Sequence, residues 1–159
     1  MSVSLRPAHR DDLPLIANFI RELAEYEKLA HAVRFSDADL DHNLFGPRPY
    51  AEVVIGEVNG QAQGFALFFH NFSTFEGKAG IHLEDLYVRP SARGHGLGLA
   101  LLRHLATVAE QRDCARLEWN VLDWNSPAIG FYESLGAQMM TDWSAMRVDG
   151  PALAALARR

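Results

Sequence analysis

The chain has one cysteine, Cys114, in 159 residues. No internal disulfide framework can form, and the composition suits a reducing cytosol. Its apolar runs, such as 65–69 and 97–102, fall far short of the ~20 residues a helix needs to cross a bilayer. The start, MSVSLRP, has no basic stretch followed by an apolar one, so no signal peptide is expected. Basic residues are not in excess. The net charge is -5, which argues against nucleic acid as a partner. Repeats, low-complexity tracts and linkers are missing too. Seven histidines form no H-x-x-H, H-E-x-x-H or Cys/His cluster, so no metal site is expected. Cys114 has no histidine partner legible in the sequence and reads as a small buried thiol, not as an acyl-accepting nucleophile.

What is present is enough apolar residue, 48% of the chain, for one globular domain over residues 1–159 with a substantial core. Residues 3–8 read as a short strand. Residues 11–29 read as a helix capped by Asp11 or Asp12, with Pro14 in its first turn and an apolar stripe of Leu15, Phe19, Ile20, Leu23 and Tyr26. A second short helix is expected from Ser36 to Asn43. Two β-rich runs then meet at Asn59-Gly60, a strong hairpin signal. Further strands are expected at 79–88 and 115–122, with a helix over 97–111 between them. Ser126-Pro127 opens another helix, which Gly136 ends. Two runs around 138–140 and 143–148 read as a final hairpin. The order β-α-α-β-β-β-α-β-α-β-β implies an α/β (α+β) fold with a mixed sheet.

Charge is uneven. Positions 11–41 hold eight acids against Arg21, Lys28 and Arg34, whereas positions 86–104 hold Arg89, Arg93 and Arg103 and no acid. This suits either two solvated helix faces or two ligands of opposite sign. The basic stretch contains LYVRPSARGHGLG, a strand running into a glycine loop at the head of a helix. Helix N-termini leave amides free and carry positive dipole, and glycines let a phosphate approach the backbone. Arg93 adds charge. The loop lacks the Gly-Lys-Ser/Thr of a Walker motif, and Gly94, Gly96 and Gly98 are spaced G-x-G-x-G, not G-x-G-x-x-G.

Arg93-x-x-Gly96-x-Gly98 matches the Q/R-x-x-G-x-G/A signature of the GNAT superfamily of acetyl-CoA-dependent N-acetyltransferases. RELAEYE (21–27), LEDLYV (83–88), RGHGLG (93–98) and VLDWNSPAIGFYESLGA (121–137) resemble the diamine (spermidine/spermine) acetyltransferases and, more strongly, the thialysine N-epsilon-acetyltransferases. The resemblance implies the GNAT acyl-CoA N-acyltransferase fold, with helices on both faces of a mixed central sheet. It also implies acetyl transfer from acetyl-CoA to a small primary amine in a ternary complex, in a cytoplasmic homodimer built through residues 143–159. An amine of a protein or antibiotic, or a non-catalytic acetyl-CoA-binding module, are the alternatives.

The same resemblance assigns roles. Backbone at Leu86, Tyr87 and Val88 would pair with the pantetheine arm, beside a bulge that splays two parallel strands, and the Leu86 amide would polarise the thioester. Arg93, Gly94, His95, Gly96, Leu97, Gly98 and Leu99 would hold the diphosphate. Asn125 and Ala128 would meet the coenzyme arm, and Tyr132 would protonate the leaving thiolate. Tyr26, Glu27, Glu118, Trp119 and Asn120 would line the amine pocket, with Glu84 as base through a water. The pleat sends Glu84 and Asp85 to opposite faces, Glu84 on the side of His82, Leu86 and Val88. Asp85 is thereby left a structural residue.

Overall fold

Five strands form one sheet, in the order β1-β2-β3-β4-β5, in the computed structural model, which describes residues 2–159. They are β1 (Val3–Pro7), β2 (Glu52–Val58), β3 (Gln61–Ser73), β4 (Lys78–Val88) and β5 (Leu117–Trp119). The helices are α1 (Leu13–Tyr26), α2 (Asp37–Phe45), α3 (Leu97–Gln111), α4 (Ser126–Ser134) and α5 (Gly150–Ala157). Neighbouring strands from β1 to β4 pair antiparallel, and β4 pairs β5 in parallel. The sheet is therefore mixed, with α3 as the crossover that a parallel pair requires. The described residues fall into two compact units, one ending at Leu122 and one spanning Asp123–Arg159.

In the first unit the local chemistry explains the boundaries. Asn59 and Gly60 both take positive φ, 53° and 78°, as a two-residue type I′ turn demands. A 3-10 turn at Arg10–Asp12 precedes α1. Asp12 sits at the N-cap without capping; its carboxylate accepts from the two terminal Arg6 nitrogens, at 2.8 and 2.9 Å, and from the His9 amide. The Arg6 bonds hold that carboxyl below its ordinary range. α1 stops at Tyr26 because Lys28 turns left-handed (φ 61°) and the Leu29 amide reaches back to the Ala24 carbonyl at 2.8 Å. Ser36 and Asp39 form a reciprocal capping box at the head of α2.

The sheet is covered on both faces. On one, Ile16, Phe19 and Leu23 of α1 pack on Val53, Ile55, Phe65, Leu67 and Tyr87. On the other, Leu97 at the start of α3 lies over Gly56 and Gly64, which are paired across β2 and β3. A Cβ on Gly56 would fall 2.6 Å from the Leu97 side chain, and one on Gly64 2.5 Å from the Tyr87 carbonyl. This glycine pair lets the head of α3 sit directly on the sheet.

Two expectations are corrected. The strand expected over 115–122 is limited to Leu117–Trp119, because its ladder with β4 ends at Leu83. The final hairpin does not form. Residues 138–149 are irregular, with a turn at Thr141–Asp142, and the second unit offers them no strand to pair with among the described residues. An isolated pair is marginal in water. Instead the Ala- and Leu-rich segment Gly150–Ala157, with proline at its head, forms α5.

Candidate active site

β4 carries the central irregularity. It pairs with β3 through Phe68↔Leu83 and then Leu67↔Asp85, so Glu84 is an extra residue in the ladder, a β-bulge. The bulge resets the alternation of faces. His82 lies opposite Phe69, with ring centroids 5.1 Å apart, and Asp85 lies opposite Leu67, on the α1 side of the sheet. Glu84 Oε1 is 3.6 Å from His82 Nε2, on that same side. The expected division of Glu84 from Asp85 is therefore wrong: both carboxylates face one site. Leu86 and Val88, expected with Glu84, lie opposite Ala66 and Gly64 on the α3 side.

Glu27, at the C-cap of α1, completes an acidic cluster. Burial, and then the charge of Glu84, raise its carboxyl above the ordinary value. Asp85 is affected most. Burial, then Glu84 and Glu27, push it up to about 7. A protonatable carboxyl beside two others, set in a partly apolar wall, is an environment that attracts a cation and exchanges a proton near neutrality. Sequence reasoning missed Asp85 because strict period-2 alternation hid it; one inserted residue was enough.

The bulge also ends the β4–β5 ladder, whose last pair is Leu83↔Trp119. From there β4 has an opened edge. The Arg89 amide donates to the Gln63 carbonyl at 2.8 Å. Counting back by two, Tyr87 and Asp85 turn their amides toward β3, and Leu86 and Val88 turn theirs to the opened side. The strand end is pinned from α1. Glu22 accepts from the Tyr87 hydroxyl at 3.1 Å and from Arg89 at 3.1 and 3.2 Å, and Arg89 lies over the Phe19 ring. Burial and the Glu22 bond raise the Tyr87 hydroxyl pKa.

Beyond β4 the loop has the form its glycines require. Gly94 and Gly96 take φ of 84° and 81°, and a Cβ on either meets nothing within 4 Å, so open space lies over both. The Ala100 amide makes the first α3 hydrogen bond, to Gly96 O at 2.9 Å. The amides of Leu97, Gly98 and Leu99 therefore precede the helical ladder. Such a cradle fits a coenzyme diphosphate. Exposed His95 stands at its rim. Arg93 is turned back: its Nε donates to Val88 O at 3.0 Å, and its guanidinium lies 5.2 Å over the Tyr26 ring.

The remaining expected wall is only partly assembled. Glu118 lies beside His82 across the parallel ladder and accepts from Asn71 Nδ2 at 3.1 Å. Trp119 lies beside Leu83, on the other face, and Asn120 falls just past the strand. In the second unit, Ala128, Ile129 and Tyr132 share one half-buried stripe of α4, and Tyr132 packs on Phe131 at 5.7 Å. Asn125 is the N-cap of α4, but its side chain makes no capping bond.

Cys114 does have a histidine nearby, contrary to expectation. His70 Nδ1 lies 3.9 Å from its sulfur. Arg112 donates to His70 Nε2 at 2.9 Å and has no acceptor to offer, so Nδ1 carries the ring proton and donates to Gly80 O at 3.1 Å. His70 is thereby not a base for the thiol. Among the described residues, no group of three or more His, Cys, Asp or Glu side chains is arranged to hold a metal ion, and no helix is long and apolar enough to cross a membrane.

Residues 17–137 match the acetyltransferase (GNAT) family. The chain is 37% identical over 169 residues to a thialysine N-epsilon-acetyltransferase of Mus musculus, covering 99% of each. It is 29% identical to an L-ornithine N5-acetyltransferase of Arabidopsis thaliana, over 96% of this chain and 86% of that one. Among solved structures, an integron cassette protein from the mobile metagenome of Vibrio cholerae superposes with a TM-score of 0.83 at 32% identity, over 100% of this chain and 99% of the other.

Proposed function

The chain belongs to the GNAT acetyltransferase family, and from that premise we propose that it moves an acetyl group from acetyl-CoA to the primary amine of a small cationic acceptor. The acceptor is a thialysine- or lysine-like amino acid or a short diamine, and transfer is direct, within a ternary complex. The observation that carries this reading is the bulge at Glu84. One inserted residue gathers Glu84 and Asp85 beside Glu27 and opens the backbone edge at Leu86 and Val88.

Acetyl-CoA supplies an activated thioester carbonyl. The residues of the chain do the rest. The Gly94–Leu99 amides hold the diphosphate, and Asn125 and Ala128 meet the coenzyme arm. Glu27, Glu84 and Asp85 attract the ammonium, with Tyr26, Glu118, Trp119 and Asn120 lining its pocket. An ammonium of pKa ~10.4 is deprotonated at neutral pH at a cost of roughly 4 to 5 kcal/mol. Glu84 accepts that proton through a water. The Leu86 amide donates to the oxygen on which negative charge grows. Tyr132 donates its proton to the departing thiolate.

The homologues support an amine acceptor, and the acidic cluster favours a small cation over a neutral one. We assign the assembly as a cytoplasmic homodimer. The exposed side chains of Trp143, Met146, Leu153 and Leu156 in the second unit supply apolar surface for a second copy. The deciding experiment is a screen of thialysine, lysine, ornithine, putrescine, spermidine and a histone-tail peptide with acetyl-CoA, reading thiol release. Turnover with the small amines is expected. Turnover with the peptide alone would overturn the acceptor class, and none with any amine would leave a binding module.

A further inference from the structure

Arg93 belongs by sequence to the glycine loop, yet its side chain does not point along that loop. Its Nε donates to the Val88 carbonyl at 3.0 Å, and its guanidinium lies over the Tyr26 ring at 5.2 Å. The first contact lies on the opened edge of β4, where a coenzyme arm would pair. The second covers the last aromatic residue of α1, one position before Glu27 of the acidic cluster. One side chain thus holds a surface that, under the proposed function, each ligand would use. Both contacts are exposed or half-exposed, so neither is strong enough to lock it.

We infer that Arg93 is a positioning residue that couples the two binding events: it leaves Val88 and Tyr26 when the coenzyme diphosphate takes its charge, and so uncovers an aromatic face for the cationic acceptor. The inference rests on the proposed function for the chemistry of both ligands. It assigns something further, a route by which one site biases the other. An ammonium acceptor and a guanidinium compete for the same ring face because both are drawn to its negative quadrupole. Removing the competitor raises acceptor affinity by the strength of one exposed cation–π contact, about two- to fivefold. Linkage makes the effect reciprocal: the acceptor tightens coenzyme binding by the same factor. The direction follows from charge. A diphosphate attracts Arg93 more strongly than a neutral carbonyl and a ring do together.

The test is titration calorimetry on the full chain, with coenzyme A and thialysine as probes, singly and together. In the wild type, saturating coenzyme A is expected to tighten thialysine about two- to fivefold. In Arg93→Gln the coupling disappears. Thialysine alone then binds as tightly as it does to the coenzyme-saturated wild type, while coenzyme A binds more weakly for want of the charge. In a Tyr26→Leu background, Arg93→Gln changes thialysine affinity no further. Thermal melts check that each variant is folded. Undiminished coupling in Arg93→Gln overturns the inference. A second readout is the Arg93 Nε–H resonance, which coenzyme A alone is expected to shift; an unmoved resonance at saturation also overturns it. If thialysine fails to bind under any condition but the resonance shifts, the acceptor assignment fails and the movement of Arg93 stands.

Discussion

Asp85 lies opposite Leu67 on the face of the sheet that α1 covers, a carboxyl set into an apolar wall. Alternation along an unbroken strand would have turned it away. It faces this way because Glu84, its neighbour, has no partner on β3 and takes up one extra residue in the ladder. The result is three carboxylates in one field, of which the most buried holds its proton to about pH 7.

Asp85→Asn is expected to change how stability depends on pH. The folded-state value of Asp85 is raised from 3.8 to about 7. Between those values the folded protein binds a proton that the unfolded chain does not, so stability falls as pH rises through that window and levels off above it. The variant lacks this slope. It should match the wild type near pH 4 and exceed it at pH 8 by about 1–3 kcal/mol, after discounting for solvent screening. Urea melts at both pH values measure this; parallel stability curves would show that Asp85 titrates as it does in water.

Glu84→Gln removes the proposed proton acceptor. The rise of rate with pH should flatten, while coenzyme A affinity stays within about threefold, since the opened edge is backbone. A pH–rate profile superposing on that of the wild type excludes Glu84 as base.

Tyr132→Phe removes one hydroxyl from α4. A fall in kcat of roughly 10²-fold or more is expected, with acetyl-CoA binding retained. Turnover within twofold of wild type refutes the acid role. Initial-rate plots for the native enzyme should intersect; parallel lines, or acetyl label on Cys114, would instead indicate a covalent route.

The glycines of the loop are not equivalent. Gly96 needs its left-handed φ, so Gly96→Ala should cost about 1–2 kcal/mol and weaken coenzyme A binding. Gly98 has ordinary φ, and a Cβ there meets only the Val88 side chain at 3.9 Å. Gly98→Ala should therefore be neutral or stabilising by up to about 1 kcal/mol, with coenzyme binding kept. Urea melts and calorimetry rank the two, and the reverse order would mean that the loop is held differently.

Much of the first unit was legible because its signals are local. Asn59-Gly60 permits one turn type, Ser36 and Asp39 make their own capping box, and Gly94 and Gly96 stand where left-handed backbone is required. What stayed hidden depends on pairing between distant segments. The resemblance implied a bulge beside Leu86–Val88, but its position at Glu84, and with it the turning of Asp85 to the α1 side, depends on β3 and β4 differing by one residue in register. The His70–Cys114 approach and the Arg93–Tyr26 contact join segments more than forty residues apart. The expected C-terminal hairpin failed for the converse reason: apolar alternation predicts a strand only where a partner exists to receive it.

In the proposed reaction, β4 offers its edge to one reactant and its α1-side face to the other. The spacing between them is then set by the pleat of a single strand, as fixed as bond angles allow. Acceptor preference can drift through changes in the helices above without disturbing the alignment of nucleophile and carbonyl. A lineage built on such a ruler can diversify its amines while keeping one reaction.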